Sequence, residues 1–491
     1  MSHAHGGKWA VFAIVAIGVF MGTLDSSIVN ISLPTIARDF RVPLGGSIEW
    51  VVIAYLLMSA ATLLSAGRLS DLIGRKSVWM AGLALFTGGS ALCGASFSLW
   101  FLIASRAMQG LGGALLFSTS PALLTAAFPP EERGRALGLN AVTVALGTSA
   151  GPTLGGIITA SLSWRWIFFI NLPLGLAGAF LSWRILDGSR AGRAGRFDPL
   201  GAASLGIGLA AIIAALSFGT ELGLRSPLII SAIIVGAACL TAFFFIERRV
   251  PDPVVKFSLL RDRVFLSANL SLILSFLALF AVGFLMPFYL EQLRAFPTEV
   301  AGLLLTPLPI MIAVIAPLSG MVSDRIRSTR WLAASGLLIA CTGLVLTGLL
   351  TAESSIADIV WRLLVIGFGQ ALFQAPNNSA LMGSAPPQDR GLAAGFLATG
   401  RVMGQSLSVA LAGAVFTGLG GAVAGAALER GDSAAPDLSG TFLTAFRAAF
   451  FVCAGVAVVG VAASLVRGAR EKGAQDRRTR KQILHTRTKQ E

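Results

Sequence analysis

The chain has 491 residues, of which 55% are hydrophobic and only 13% are charged. This composition excludes an ordinary water-soluble multidomain enzyme and indicates a polytopic membrane protein. The formal net charge of +14 is not evidence for nucleic-acid binding, because cationic loops of a membrane protein report its topology.

Apolar windows long enough to cross a bilayer predict fourteen helices along the chain. The sequence therefore predicts an all-α polytopic membrane protein. The predicted spans lie near residues 9–33, 49–67, 77–96, 100–127, 135–160, 166–186, 199–218, 226–246, 264–290, 299–322, 331–350, 356–382, 391–418 and 440–466.

The basic residues fall in alternate loops between these spans. If the N-terminus is cytoplasmic, the clusters at Arg75 and Lys76, at Arg248 and Arg249, and in the C-terminal tail all lie on one side of the membrane. The positive-inside rule then places both termini in the cytoplasm and requires an even number of spans.

A repeated motif suggests two related bundles. GRLSDLIGRKS, Gly67 to Ser77, follows the second predicted span, and GMVSDRIRS, Gly320 to Ser328, is its degenerate echo after the tenth. We therefore predict two six-helix bundles at 1–187 and 263–467. An inserted helix pair lies at 188–262, and a basic cytoplasmic tail at 468–491 can contact anionic membrane lipids.

An acid and an arginine lie well inside predicted spans of the first half. Asp25 follows the uncharged run 10–24, and Arg106 lies in the fourth span. Helix geometry places them roughly 6 Å and 9 Å below the same membrane surface. Burial favours a protonated carboxyl and an approaching guanidinium favours the carboxylate, so a moving pair could bind and release a proton. The alternative is a permanent structural ion pair.

The fifth predicted span carries a glycine stripe. In ALGTSAGPTLGGII, Gly147, Gly151 and Gly155 recur every fourth residue, and Pro152 removes one backbone hydrogen bond. Such a stripe permits close helix packing. The open alternatives are a packing motif and a flexing, ion-tight wall.

The repeated loop motif is a candidate cytoplasmic gate. Its charged residues could form a breakable contact between the bundles, although each copy alone could be a charged turn. The candidate gate residues are Gly67, Asp71, Gly74 and Arg75, with Asp324 and Arg325 in the echo.

Polar side chains in the second half predict a substrate cavity, because unpaired polar groups near the bilayer centre are costly. Hydrogen bonding across helices is the alternative. The candidate cavity residues are Asn30, Gln109, Tyr289, Gln370, Gln374, Asn377 and Arg401.

Several motifs together resemble the fourteen-span drug:proton antiporters of the major facilitator superfamily, of the bacterial multidrug and quaternary-ammonium exporter type. They are LDSSIVNISLP, GRLSDLIGRKS, SRAMQGLGGALL, GTSAGPTLGGII, WRWIFFINLPLG, FDPLG and APNNSALMGSAPPQDRG. The resemblance implies alternating access between two bundles, with Asp25 as the proton-coupling acid and Arg106 as its partner. It also implies that Gly151 and Pro152 belong to the antiporter motif, and that Asp71 and Arg75 belong to the gate.

The sequence departs from exporters of divalent cationic drugs, which often carry another acid in the middle of a second-half helix. Glu291, Glu299 and Asp358 all lie toward the outer surface, so we expect neutral, monocationic or amphipathic substrates.

We therefore predict a monomeric, proton-driven exporter of amphipathic molecules in the bacterial cytoplasmic membrane. It needs no cofactor beyond the proton gradient, holds no metal, binds no nucleic acid and is not an enzyme. The rival hypotheses are a dedicated exporter of one metabolite or lipid and a membrane sensor or scaffold that does not transport. The need for a periplasmic adaptor stays open.

Overall fold

The computed structural model describes residues 7–42, 47–129, 132–186, 198–223, 225–250, 257–325, 329–386, 390–430 and 437–466. Within these ranges every regular element is a helix. The predicted tail at 468–491 and parts of both linkers of the inserted pair, 187–197 and 251–256, lie outside them.

The first half of the chain forms seven helices. They are α1 (Gly7–Phe40), α2 (Trp50–Ile73), α3 (Arg75–Gly94), α4 (Leu99–Ala127), α5 (Arg133–Ser161), α6 (Trp166–Phe169) and α7 (Asn171–Ile185).

The middle of the chain forms α8 (Pro199–Leu222), α9 (Pro227–Arg249) and α10 (Phe257–Leu260). The second half forms α11 (Arg263–Phe288), a π-helical turn (Tyr289–Leu293), α12 (Thr298–Leu305), α13 (Pro307–Arg325), α14 (Arg330–Gly348), α15 (Ile356–Ser384), α16 (Arg390–Gly418), α17 (Gly421–Glu429) and α18 (Leu438–Leu465).

Local signals explain several helix starts. The side chains of Ser98, Asp262 and Ser355 accept hydrogen bonds from backbone N–H groups in the first turns of α4, α11 and α15. Proline occupies the first turn of α8 and of α9, where its missing N–H costs nothing.

The helices pack as two bundles with a helix pair beside them. In the first bundle α1 contacts α4, α5 and α7, while α2 and α3 pack against α4. In the second bundle α11 contacts α16 and α18, and α14 contacts α15 and α18. In the pair α8–α9, α8 also touches α2 and α16, so the pair lies beside the junction of the two bundles.

The all-α polytopic fold with two bundles is confirmed. Among the described residues, twelve helices are long and apolar enough to cross a membrane, and the bent pair formed by α16 and α17 would be a thirteenth. Helix α2 takes the place of the predicted second span, but its apolar part, Trp50–Leu63, is shorter. The number of fourteen spans therefore stays a prediction.

Three helix boundaries differ from the sequence prediction. Helix α1 continues through Pro34 to Phe40, and the tenth predicted span is broken at Thr306 into α12 and α13. After α16 the chain turns by 75° into α17. Gly420 at that turn has φ of 81°, a left-handed conformation that glycine adopts without strain.

The described contacts between the bundles include a group at the end where α1 terminates, which we call the distal end. Here Arg38 of α1 reaches Glu429 of α17, and Gly156 of α5 lies against Thr298 of α12. One helical turn deeper, the hydroxyl oxygens of Thr153 and Thr306 are 2.5 Å apart.

Candidate functional site

The buried centre of the first bundle holds an ion pair. Arg106 Nη1 of α4 donates to Asp25 Oδ2 of α1 at 2.5 Å, and the two residues are 1% and 0% exposed. The structure thus brings together the two intramembrane charges that matching depth singled out in the sequence.

Two amides complete the surroundings of the carboxylate. Gln109 Nε2 donates to Asp25 Oδ1 at 2.7 Å, and Asn171 Nδ2 of α7 donates to the same oxygen at 3.1 Å. Both amides also donate to Ser90 Oγ of α3, at 3.2 and 3.0 Å. We call Asp25, Arg106, Gln109, Asn171 and Ser90 the charge network.

Arg106 is held from several sides. Its Nε donates to the carbonyl of Val51 at 2.9 Å, and its Nη1 also donates to Gln109 Oε1 at 2.7 Å. The guanidinium carbon lies 4.3 Å from the ring centre of Tyr55, a cation–π contact. These contacts fix the direction from which Arg106 approaches the carboxylate.

The glycine-rich sequence after Arg106 explains how these helices come so close. A Cβ on Gly110 would lie 2.3 Å from the carbonyl oxygen of Tyr55, and one on Gly112 would lie 2.4 Å from the backbone nitrogen of Phe86. Only glycine lets α4 contact the backbones of α2 and α3 at this distance. That contact brings Arg106 and Gln109 within hydrogen-bond reach of their partners.

The charge network defines what the site can do chemically. A carboxylate that accepts hydrogen bonds from a guanidinium and two amides is strongly stabilised in its charged form. Withdrawal of the guanidinium would leave a charge in a low-dielectric interior, where the neutral acid is favoured. Motion of α1 against α4 would therefore change the charge pairing at this site.

The glycine stripe of α5 packs against α1. A Cβ on Gly147 would lie 2.1 Å from Thr23 Oγ1, one on Gly151 1.8 Å from Ser27 Oγ, and one on Gly155 2.6 Å from Ile31 Cγ2. The structure therefore gives these glycines a packing role, which is the first of the two alternatives. A neighbouring face of α5 meets the other bundle, because a Cβ on Gly302 would lie 2.2 Å from the carbonyl oxygen of Pro152.

The candidate gate loop holds helix ends of the first bundle. Gly74 has φ of 99° between α2 and α3, and Arg75 Nη1 donates to the carbonyl of Ala122 near the end of α4, at 3.0 Å. A Cβ on Gly67 would meet no atom within 4 Å. The side chains of Asp71, Asp324 and Arg325 lie outside the described residues.

The structure distributes the candidate cavity residues over different environments. Gln109 belongs to the charge network. Tyr289 is buried and donates from its hydroxyl to the carbonyl of Thr351 at 2.7 Å. Asn377 is buried, and its Oδ1 accepts from Ser271 Oγ at 3.0 Å. These three residues are satisfied by protein partners.

The remaining four candidates differ in burial and surroundings. Asn30 of α1 faces Gly283 of α11 in the other bundle, and its Oδ1 accepts no hydrogen bond from the described residues. Gln370 and Gln374 of α15 and Arg401 of α16 are half-buried.

Sequence reasoning did not single out Asn171, Ser90 or Tyr55. Asn171 stands in the quoted motif WRWIFFINLPLG, so a polar residue in an otherwise apolar segment was the available signal. Ser90 and Tyr55 carried no such signal, because single serines and tyrosines are common in apolar helices.

The bundles of long apolar helices define a multi-pass membrane protein. Residues 15–199 and 200–409 match the family model described as Major Facilitator Superfamily. The chain therefore belongs to the Major Facilitator Superfamily and is a transporter.

Similar chains occur in several bacteria. The chain is 37% identical to "Uncharacterized transporter YebQ" of Escherichia coli (strain K12), over 82% of this chain and 88% of that one. It is 35% identical to "Riboflavin transporter RibZ" of Clostridioides difficile (strain 630), over 84% and 88%. It is 34% identical to "Multidrug resistance protein Stp" of Mycobacterium tuberculosis, over 81% and 74%.

Among solved structures, the fold resembles a bacterial homologue of the human lysosomal transporter Spinster in an inward-facing, unoccupied conformation. The TM-score is 0.68 at 15% sequence identity, and the match covers 95% of this chain and 98% of that one. This likeness concerns the fold.

Proposed function

We propose that the protein is a proton-driven antiporter that exports amphipathic molecules across the bacterial cytoplasmic membrane. The observation that carries the proposal is the fully buried Asp25 carboxylate, with Arg106 at 2.5 Å. An ionisable group inside a membrane bundle is costly and indicates an ion or substrate path. Relatives named for multidrug resistance and for riboflavin transport support the transport of small organic molecules.

In this proposal both termini lie in the cytoplasm and the distal end faces outward. The contacts of Arg38 with Glu429 and of Thr153 with Thr306 then close the outer side, and the structure corresponds to an inward-facing state. Rocking of the bundles opens the distal end and moves α1 relative to α4. Asp25 then takes up a proton from outside, which it releases when Arg106 returns.

The proton gradient supplies enough energy for such a cycle. One charge that crosses 100 mV contributes about 2.3 kcal/mol, before any pH difference is added. That energy alone supports a roughly 50-fold concentration gradient of a neutral substrate per proton.

The test uses purified protein in proteoliposomes with a proton-sensitive dye inside. Substrate-dependent proton movement is measured with ethidium, riboflavin and fluorescein as separate candidate substrates. We expect Asp25→Asn to abolish coupled proton movement for every compound that the wild type transports, while its thermal unfolding stays cooperative.

Asp39→Asn is the matched control, because Asp39 lies on the same helix and pairs with Arg165 at 2.8 Å near the distal end of the same bundle. Coupled proton movement at the wild-type rate in Asp25→Asn would show that Asp25 is not the coupling site. Absence of counterflow with the whole panel would favour the sensor or scaffold.

A further inference from the structure

Arg401 lies in the middle of α16, roughly 16 Å from the start of that helix. Its side chain is half-buried. Within the described part of the chain it forms no hydrogen bond and no ion pair. Its guanidinium carbon lies 5.8 Å from the centre of the Phe276 ring.

Three other arginines of the bundles have carboxylate partners. Arg106 is paired with Asp25, Arg38 with Glu429 at 2.7 Å, and Arg362 with Asp358 at 2.8 Å. A guanidinium without a counter-charge near the bilayer centre is costly, and such residues pair or face a water-filled path. The guanidinium of Arg401 is therefore available to bind an anion.

The position of Arg401 is suitable for a transported ligand. Helix α16 packs against α11 of its own bundle and against α2 of the other bundle. Gly404 provides the contact with α11, because a Cβ there would lie 2.6 Å from the carbonyl oxygen of Ile273.

Tyr55 of α2 contacts the charge network. The guanidinium carbon of Arg106 lies 4.3 Å from its ring centre, and its hydroxyl donates to the carbonyl of Gly22 on α1 at 3.4 Å. A ligand held at Arg401 would therefore lie on a helix, α16, that packs against the helix carrying this side chain.

We propose that Arg401 binds an anionic group of the transported molecule, such as the carboxylate of an amphipathic aromatic acid. A guanidinium can bind a carboxylate through two parallel hydrogen bonds, and Phe276 offers an apolar surface next to it. The inference rests on the proposed transport function and names the substrate class. It replaces the expectation of neutral or monocationic substrates with one of amphipathic anions.

The test compares two probes that differ only in charge, 1-naphthaleneacetate and its neutral amide, 1-naphthaleneacetamide. Binding to the purified full-length protein is measured by equilibrium dialysis. We expect the wild type to prefer the carboxylate, and Arg401→Gln to weaken carboxylate binding about tenfold or more. We expect the same variant to change amide binding by less than about twofold.

Two further variants separate charge from structure. Arg401→Lys keeps the charge and should restore most of the preference for the carboxylate. Arg184→Gln is the matched control, because Arg184 also lies over a ring, that of Phe180 at 4.9 Å, on the exposed side of α7. A thermal midpoint of Arg401→Gln at or above that of the wild type would show that the variant is folded.

Equal loss of both probes in Arg401→Gln, or no carboxylate preference in the wild type, would overturn the anion site. The proton-driven mechanism is judged separately, by gradient-driven uptake of either probe into proteoliposomes. Charge-selective binding without gradient-driven uptake would support the anion site and contradict the proposed proton-driven transport.

Discussion

Arg38 near the end of α1 lies 2.7 Å, measured from its Nε, from Oε1 of Glu429 in α17 and so joins the two bundles at the distal end. Its Nη2 also lies 3.4 Å from Glu291 Oε2 in the π-helical turn. Asp39, the next residue, makes its contacts inside the first bundle, where it accepts from Arg165 Nη1 at 2.8 Å. Arg38 thus links the two bundles, whereas Asp39 stabilises contacts within the first bundle.

Arg38→Gln should weaken closure of the distal end. The variant removes one cation that faces two carboxylates across the bundle interface, so the equilibrium should shift toward a state in which the bundles are separated there. Spin labels at Ser161 and Glu353, in a background with the four native cysteines replaced by alanine, report the distance between the two distal ends. We expect a larger population at long distance than in the parent.

Arg165→Gln is the control for that measurement, because it breaks an ion pair of similar exposure within one bundle. An unchanged distance distribution in Arg38→Gln would mean that the ion pairs do not contribute to closure.

A glycine contact should support the same closure. A Cβ on Gly302 of α12 would lie 2.2 Å from the carbonyl oxygen of Pro152 in α5, and this backbone atom has no room to move alone. Gly302→Ala should therefore force α12 away from α5 and disfavour the distally closed state by about 1–3 kcal/mol, the usual range for overpacking. The same spin-label pair should show this as a large rise in the long-distance population.

Gly320→Ala is the matched control for Gly302→Ala. A Cβ on Gly320 of α13 would meet its nearest neighbour, Ala375 Cβ, at 4.0 Å, an ordinary contact distance. Identical distance distributions for the two variants would contradict the proposed role of the contact between α5 and α12.

Much of the fold was predictable because its signals are local. Long apolar runs mark the helices, and Asp25 and Arg106 interrupt such runs at similar depth, which predicts their contact. Pro307 follows the break at Thr306, and Gly420 lies at the turn after α16, so both changes of direction have a local signal. The apolar runs that mark the spans continue across both positions and so do not indicate them.

The assignment of polar residues to a cavity was less accurate. Gln109 and Asn377 are polar residues in apolar helices, and the sequence does not say whether a ligand or another side chain satisfies them. The structure shows Asp25 as the acceptor for Gln109, and Ser271 as the donor to Asn377. Whether such a residue lines a cavity or bonds to another side chain depends on its neighbours from distant parts of the chain, which the sequence does not show.

Asn171 should support transport through its contact with the charge network. Its amide donates to the Asp25 carboxylate at 3.1 Å. Asn171→Leu removes this donor at similar volume. We expect the rate of coupled transport in proteoliposomes to fall about tenfold or more, since a hydrogen bond to a charged group contributes about 1.5–3 kcal/mol.

The control for Asn171→Leu lies on the same helix. Ser182 of α7 accepts a hydrogen bond from Trp79 Nε1 at 3.0 Å and does not touch the charge network. Ser182→Ala should leave the transport rate unchanged. An unchanged transport rate in Asn171→Leu would show that Asn171 does not act on the carboxylate of Asp25.

Stability and transport should respond differently to loss of the central ion pair. Arg106→Gln leaves the buried Asp25 without its cation, and breaking one side of a buried pair typically costs about 3–5 kcal/mol. Adding Asp25→Asn removes the unpaired acid, so the double variant should recover part of the lost thermal stability. It should not recover proton-coupled transport, because no group remains to carry the proton. Thermal unfolding and proteoliposome assays on the two single variants and the double variant measure both effects. A double variant less stable than Arg106→Gln alone would mean that Asp25 is held by Gln109 and Asn171 without a need for Arg106.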